Sequence, residues 1–179
     1  MRLFVGIPLP EDVRARLGEL KGGLLGARWV RPENLHLSLR FIGEVPGGDE
    51  ADIDEALATI EAPGFPLALS ELGFFDRRRR VHAVWAGIGM SEPMVRLRAK
   101  VEQALVRLGH EPEHRKFKPH VTLARMKNGS AADVSRYLEA HNGFSTGGPF
   151  DVGCFTLYRS HLGHGGAHYE ALANYGLEN

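Results

Sequence analysis

Two tetrapeptides of one pattern, His36-Leu37-Ser38-Leu39 and His120-Val121-Thr122-Leu123, stand at matching places in a repeated order of elements, and this repeat constrains the fold more than any other feature. Arg2 to Pro8 reads as a buried strand; a helix opened by Pro10, a polar loop, a strand from Leu35 to Ile42 and a second helix follow. Val81 to Ile88 begins the series again with a helix, a polar loop, a strand from His120 to Arg125 and a short helix over Ala131 to Ala140. Strands and helices in such irregular alternation are expected to form an α+β fold: two similar lobes of mainly antiparallel sheet, helices packed on the outside and a cleft between the lobes. The 179 residues suffice for one two-lobed domain over 1–179 and are too few for three independent ones.

Helical spacing is seen at Val13, Leu17, Leu20 and Leu24, and again at Ile53, Ala56, Leu57 and Ile60, where Asp49 is expected to cap the start. The clearest helix has Ser91 as its cap and Met94, Leu97, Val101, Leu105 and Leu108 as its apolar stripe, with Gly109 stopping it. Further strands are expected at Ala27 to Val30, Pro66 to Leu69, Leu72 to Phe75, Phe150 to Ser160 and His168 to Tyr175.

With 43% hydrophobic and 25% charged residues, nothing marks the chain as disordered. No apolar run approaches the roughly 18 residues of a membrane span, and the N-terminus lacks a signal peptide's pattern, so a cytoplasmic location without membrane attachment is expected. The single cysteine, Cys154, excludes an internal disulfide and a cysteine-based zinc site and is expected in the core. The formal charge of zero conceals a division. Residues 41 to 76 hold nine acids and no Lys or Arg, whereas 77 to 127 hold thirteen basic residues and four acids, a pattern compatible with a phosphate-rich ligand on one face.

On a strand, alternate side chains share a face. His36 and Ser38 therefore point one way while Leu35, Leu37 and Leu39 point to the core, and the same parity separates His120 and Thr122 from Val121 and Leu123. Each strand offers one imidazole and one hydroxyl to a common surface. With nine histidines among 179 residues, random order would place a hydroxyl residue two positions on about half a time. Two such histidines occur, both on the strands that the repeat equates. Imidazoles titrate near neutrality, so a pair of them can supply a base and an acid at one reaction centre.

Those motifs resemble the ones of the two-histidine phosphoesterase superfamily, and the chain resembles its RNA 2′,3′-cyclic phosphodiesterase branch, also called the 2′-5′ RNA ligase family. The likeness extends over RLFVGIPLP, RWVRPENLHLSLRFIGEV, VWAGI, FKPHVTLAR and LYRS, with Ser38 where the family usually has Thr. The resemblance implies metal-independent hydrolysis of RNA 2′,3′-cyclic phosphate ends to 2′-phosphate ends, with His120 as general base, His36 as general acid and Ser38 and Thr122 on the phosphate oxygens. Run backward with an RNA 5′-hydroxyl, the site would make a 2′-5′ linkage. No cofactor, metal or obligatory protein partner is implied, and a monomer is expected. Two alternatives keep these residues: a cyclic phosphodiesterase acting on a small nucleotide or an ADP-ribose cyclic phosphate, and a module that binds RNA ends without cleaving them.

Arg125 is the expected phosphate clamp, although strict alternation puts it with Val121 and Leu123 unless the strand has ended by then. Arg40 shares the parity of His36 and Ser38 and is expected to reach the cleft or to end the strand in solvent. Phe41 has a base-stacking role against a core role. Lys118 and Lys116, beside the second motif, are expected at the RNA backbone, and Arg77 to Arg80 form either a basic hairpin for RNA or a solvated turn. His161, His164 and His168 lie in a glycine-rich loop with no helix to hold a metal-ligand spacing.

Overall fold

In a computed structural model of the chain, described for residues 1–145 and 147–179, nine strands join in one sheet with four α-helices. The elements are β1 (Arg2–Pro8), α1 (Glu11–Gly18), β2 (Ala27–Trp29), β3 (His36–Glu44), α2 (Asp49–Ala58), β4 (Phe65–Arg77), β5 (Arg80–Ile88), α3 (Glu92–Arg107), β6 (His120–Ser130), α4 (Ala131–Ala140), β7 (Pro149–Val152), β8 (Cys154–Gly163) and β9 (Gly166–Gly176). The strand order is β7-β4-β5-β6-β3-β1-β8-β9, with β2 added on β6, and the strand pairs are antiparallel. The α+β, mainly antiparallel expectation matches this arrangement.

The order mirrors the sequence repeat. The motif strands β3 and β6 meet at the centre, β1 and β5 flank them, and each half continues outward through two more strands. Between β3 and β6 the ladder is one pair, Leu37 with Val121, whereas seven pairs join β1 to β3. Leu37, Leu39, Val121 and Leu123 enter the main core with Leu3, Val5 and Ile7 of β1 and with the buried stripes of α2 and α3. A smaller cluster packs Val134 and Tyr137 of α4 on Val81, Val84 and Met126.

The local signals mostly place the elements. Ser91 Oγ accepts from the Met94 amide at 3.4 Å, and Met94, Leu97, Val101 and Leu105 are fully buried along α3. Four expectations are corrected. Asp49 is the first residue of α2, and Gly48, at φ 111°, takes the cap position, a backbone conformation that glycine adopts without strain. α1 ends at Gly18, and Leu20 and Leu24 reach the core from turns beyond it. The residues from Phe65 to Arg77 are one long strand, and those expected as one strand from Phe150 to Ser160 belong to two. No helix among the described residues is long and apolar enough to cross a membrane.

Candidate active site

The single β3–β6 pair fixes the geometry of the centre. In an antiparallel ladder with Leu37 opposite Val121, His36 faces Thr122 and Ser38 faces His120, so the two histidines are diagonal neighbours, about 7–8 Å apart at the backbone. All four side chains line one groove of about 780 Å³, on the sheet face away from the leucines and Val121. Among the described residues, Arg125, Phe41 and Tyr169 share that lining.

Both rings are held alike. His36 Nδ1 lies 2.7 Å from the Asn34 carbonyl and His120 Nδ1 lies 2.6 Å from the Lys118 carbonyl, two residues upstream in each case. A carbonyl only accepts, so each Nδ1 carries the hydrogen and each neutral ring keeps an unprotonated Nε2. His36 Nε2 accepts from the Ser38 hydroxyl at 2.9 Å. Aromatic rings brace both imidazoles: Phe4 at 4.8 Å, Tyr169 at 5.1 Å and Tyr158 at 5.7 Å around His36, and Phe75 at 4.9 Å and Trp85 at 6.2 Å around His120. The close approach depends on glycine. A Cβ on Gly6 would lie 2.9 Å from the Leu37 carbonyl and 3.3 Å from the His36 ring, and one on Gly73 would lie 2.3 Å from the Trp85 indole.

The rings titrate below their usual range. Burial is the main cause at His36, and the positive charges of Arg125 and His120 add to it against the Asn34 carbonyl, bringing its pKa to about 4. His120 is lowered by burial first and then by Arg125 and Lys118, against the pull of the Lys118 carbonyl. The free site thus holds two neutral imidazoles at neutral pH. Arg125 acts on both, which puts its guanidinium within electrostatic reach of each ring.

Backbone irregularities decide which other predicted residues face the groove. Val5 pairs with Arg40 and Gly6 with Ser38, so Leu39 is an extra residue and the alternation of β3 reverses after it. Arg40 is therefore turned into the protein: it is 7% exposed, pairs with Glu102 and donates to the Phe41 and Glu111 carbonyls. The expectation that Arg40 reaches the cleft or solvent is corrected by this bulge. Phe41 takes the groove-facing position instead. β6 repeats the device. Trp85 pairs with Thr122 and Val84 with Ala124, leaving Leu123 extra and carrying Arg125 to the groove face although β6 runs on to Ser130.

Lys118 is exposed beside His120, its ammonium 4.5 Å from the centre of the Trp85 ring. Lys116 is exposed. The expected loop holding His161, His164 and His168 is the β8–β9 hairpin, in which His161 pairs with His168 and bonds Glu170 at 2.7 Å; His164, near its tip, lines the groove. Among the described residues no group of three or more His, Cys, Asp or Glu side chains is placed to hold a metal ion. Cys154 is partly exposed rather than fully buried.

Sequence reasoning missed Asn34. Its side chain is buried, donates to the Ala167 carbonyl at 2.7 Å and accepts from the Tyr169 amide at 3.4 Å, while its own carbonyl holds His36. One residue thus ties the β8–β9 hairpin to the first motif. Its position two residues before His36, matching Lys118 before His120, was the available signal.

The profile of the 2′-5′ RNA ligase superfamily matches residues 9–164. A protein of Aeropyrum pernix named RNA 2′,3′-cyclic phosphodiesterase is 38% identical over 144 residues, covering 80% of this chain and 82% of its own. A Geobacillus stearothermophilus protein of the same name is 32% identical over 165 residues, 89% of this chain, and the chain spans about half of that relative's length, 52%. The crystal structure of a Thermus thermophilus protein superposes with a TM-score of 0.80 at 30% identity, covering 98% of this chain and 97% of the other.

Proposed function

The chain belongs to the 2′-5′ RNA ligase superfamily, and from that premise we propose that it hydrolyses RNA 2′,3′-cyclic phosphate ends to 2′-phosphate ends, with His36 and His120 as the acid–base pair and no metal in the reaction. The observation that carries the proposal is the mirrored placement of the rings: each Nδ1 is engaged by a carbonyl two residues upstream, and each unprotonated Nε2 belongs to one groove, that of His36 bonded to the Ser38 hydroxyl beside it. Hydrolysis of a cyclic phosphate needs a proton taken from water on one side of phosphorus and a proton given to the leaving ribose oxygen on the other. Two diagonal imidazoles supply both.

In this reading His120 is the base and His36 the acid that protonates the 3′ oxygen. The division follows the family pattern; burial disfavours a cation at His36 more than at His120 in the free protein, so the acid's proton reaches His36 with the substrate phosphate. Ser38, Thr122 and Arg125 hold the non-bridging oxygens, where charge develops in the transition state. The phosphate's own negative charge raises both imidazoles, so substrate binding brings a proton into the pair. The two halves of the sheet work as one catalytic unit, because each contributes one of the two rings. Ligation is the same chemistry with an RNA 5′-hydroxyl in place of water, and abundant water makes it secondary.

The test is incubation with RNA ending in a 2′,3′-cyclic phosphate in excess EDTA. The expected product is a 2′-phosphate end, with turnover reduced roughly 10² to 10⁴-fold in His36→Ala and in His120→Ala, the range for lost acid–base catalysis. Persistence of the cyclic end, or a loss of only a few fold in both variants, would overturn the proposal.

A further inference from the structure

A line of ring contacts leads out of the groove on the His120 side. The His120 ring meets the Phe75 ring edge-on at 4.9 Å, and Phe75 stacks with His82 at 6.2 Å and 23°. Phe75 is opposite Ala83, which is opposite Arg125, so the aromatic ring, the small buried alanine and the arginine stand in one row across β4, β5 and β6. Lys118 Nζ is 5.8 Å from the Phe75 centroid and gives this line a cationic edge.

His82 also belongs to a second, more open depression of about 730 Å³, lined by Arg77, Arg78, Arg80, Lys127 and Asn128 and by no acidic residue. Arg78 and Arg79 form the two-residue turn between β4 and β5, at φ 50° and 63°. Both angles are left-handed, and hairpin turns of this kind favour Asn-Gly or Asp-Gly. Arginine at both positions holds strained backbone where an easier residue pair exists, and strain of this sort marks functional segments. From Gly87, the partner of His120, to Arg80 the extended strand covers about 23 Å.

We propose that this surface is a track for single-stranded RNA: the nucleotides upstream of the reacting end pass over Phe75 and His82, and their phosphates meet Arg77, Arg78, Arg80 and Lys127. An exposed ring at His82, backed by the half-buried Phe75 and set beside a cationic lining, is what a single strand needs, since every base has a face to stack and every linkage a charge to neutralise. The track rests on the cyclic phosphodiesterase reading above and adds to it the surface that holds the chain upstream of the reacting end, and with it a preference for an oligonucleotide over a mononucleotide.

The double substitution Arg78→Asn and Arg79→Gly removes two charges and installs the residues that the turn prefers, so thermal stability is expected to hold or rise. Its affinity for an RNA octamer carrying a 3′-phosphate should fall about tenfold, and the salt dependence of log K should flatten by about 0.7, since of the two residues only Arg78 lines the track and each lost contact on a single strand is worth about 0.7. The KM for an octamer with a cyclic end should rise about tenfold at unchanged kcat, while kcat/KM for a mononucleotide 2′,3′-cyclic phosphate stays within twofold. Lys127→Gln, on the neighbouring strand, should flatten the salt dependence by about 0.7. Unchanged octamer binding and KM in both variants would overturn the track, as would equal losses on octamer and mononucleotide. Octamer binding that responds to these substitutions, in a wild-type protein that opens neither substrate, would uphold the track and refute the catalytic reading.

Discussion

β3 and β6 share more than a motif. Each starts with a histidine whose Nδ1 is bound to a carbonyl two residues back, continues with a hydroxyl residue on the same face and carries a bulge at the following leucine. The strands differ in what the bulge exposes. Five residues after the histidine, β3 presents Phe41 to the groove and β6 presents Arg125; one residue earlier, β3 buries Arg40 and β6 buries Ala124. The repeated backbone therefore supplies the two rings, and the residues around the bulges make the halves unequal. One half offers a planar apolar surface and the other a fixed positive charge.

Breaking the charged half should have the largest effect. Arg125→Ala is expected to reduce kcat/KM on a cyclic phosphate end about 100-fold, the lower end of what losing one donor to the developing oxyanion costs. The same change should raise the pKa of both imidazoles, because Arg125 lowers both. Titration of the ring protons by NMR, in the variant and the parent, measures this. Movement of one ring alone would show that Arg125 serves only its own strand.

The pH profile sharpens the comparison without a mutation. In the proposed acid–base pair the active form has one ring protonated and one neutral, and kcat/KM reports the free protein. Burial brings His36 to about 4 and also lowers His120, so the singly protonated form is scarce at neutral pH. Above both values its fraction falls tenfold per pH unit, which puts the kcat/KM maximum below pH 6.5. The bound phosphate raises both rings, so kcat should hold to a higher pH than kcat/KM. These pKa values belong to the pair, since each ring's charge bears on the other. Coincident kcat and kcat/KM profiles centred above pH 7 would contradict the geometry of two desolvated rings.

How far the sequence foretold this site depends on the range of the interactions. His36, Ser38, His120 and Thr122 were legible because period-two alternation holds over the three residues from histidine to hydroxyl in each motif. It fails at Leu39 and Leu123, where an extra residue enters the strand, and no local signal marks either bulge. The misplacement of Arg40 and the ambiguity over Arg125 and Phe41 have that one cause. The rings of Tyr158 and Tyr169, and the tie of the Asn34 side chain to β9, were illegible for a different reason. Their contacts to β9 and to His36 join segments more than a hundred residues apart, and only the assembled sheet order brings them together. The element order was readable because the helix stripes and strand runs are local patterns, and their repetition made the central meeting of β3 and β6 the natural arrangement.

The apolar half should respond least. Phe41 is 40% exposed, and the Arg2 guanidinium lies 5.1 Å from its ring centre, so one face of the ring is covered and the other borders the groove. Stacking on a protein aromatic is worth about 1–3 kcal/mol per base, and a ring this open to water belongs at the low end. Phe41→Ala should then raise KM about fivefold for a cyclic-ended RNA and leave kcat and the pH profile in place, because the ring touches neither imidazole in the contacts that brace them. Phe41→Leu, which keeps apolar volume without an aromatic face, should recover little of the loss if stacking is the cause and most of it if the residue only fills space. A kcat loss comparable to that of Arg125→Ala would mean that the two post-bulge positions share one role, and that the inequality of the halves lies elsewhere.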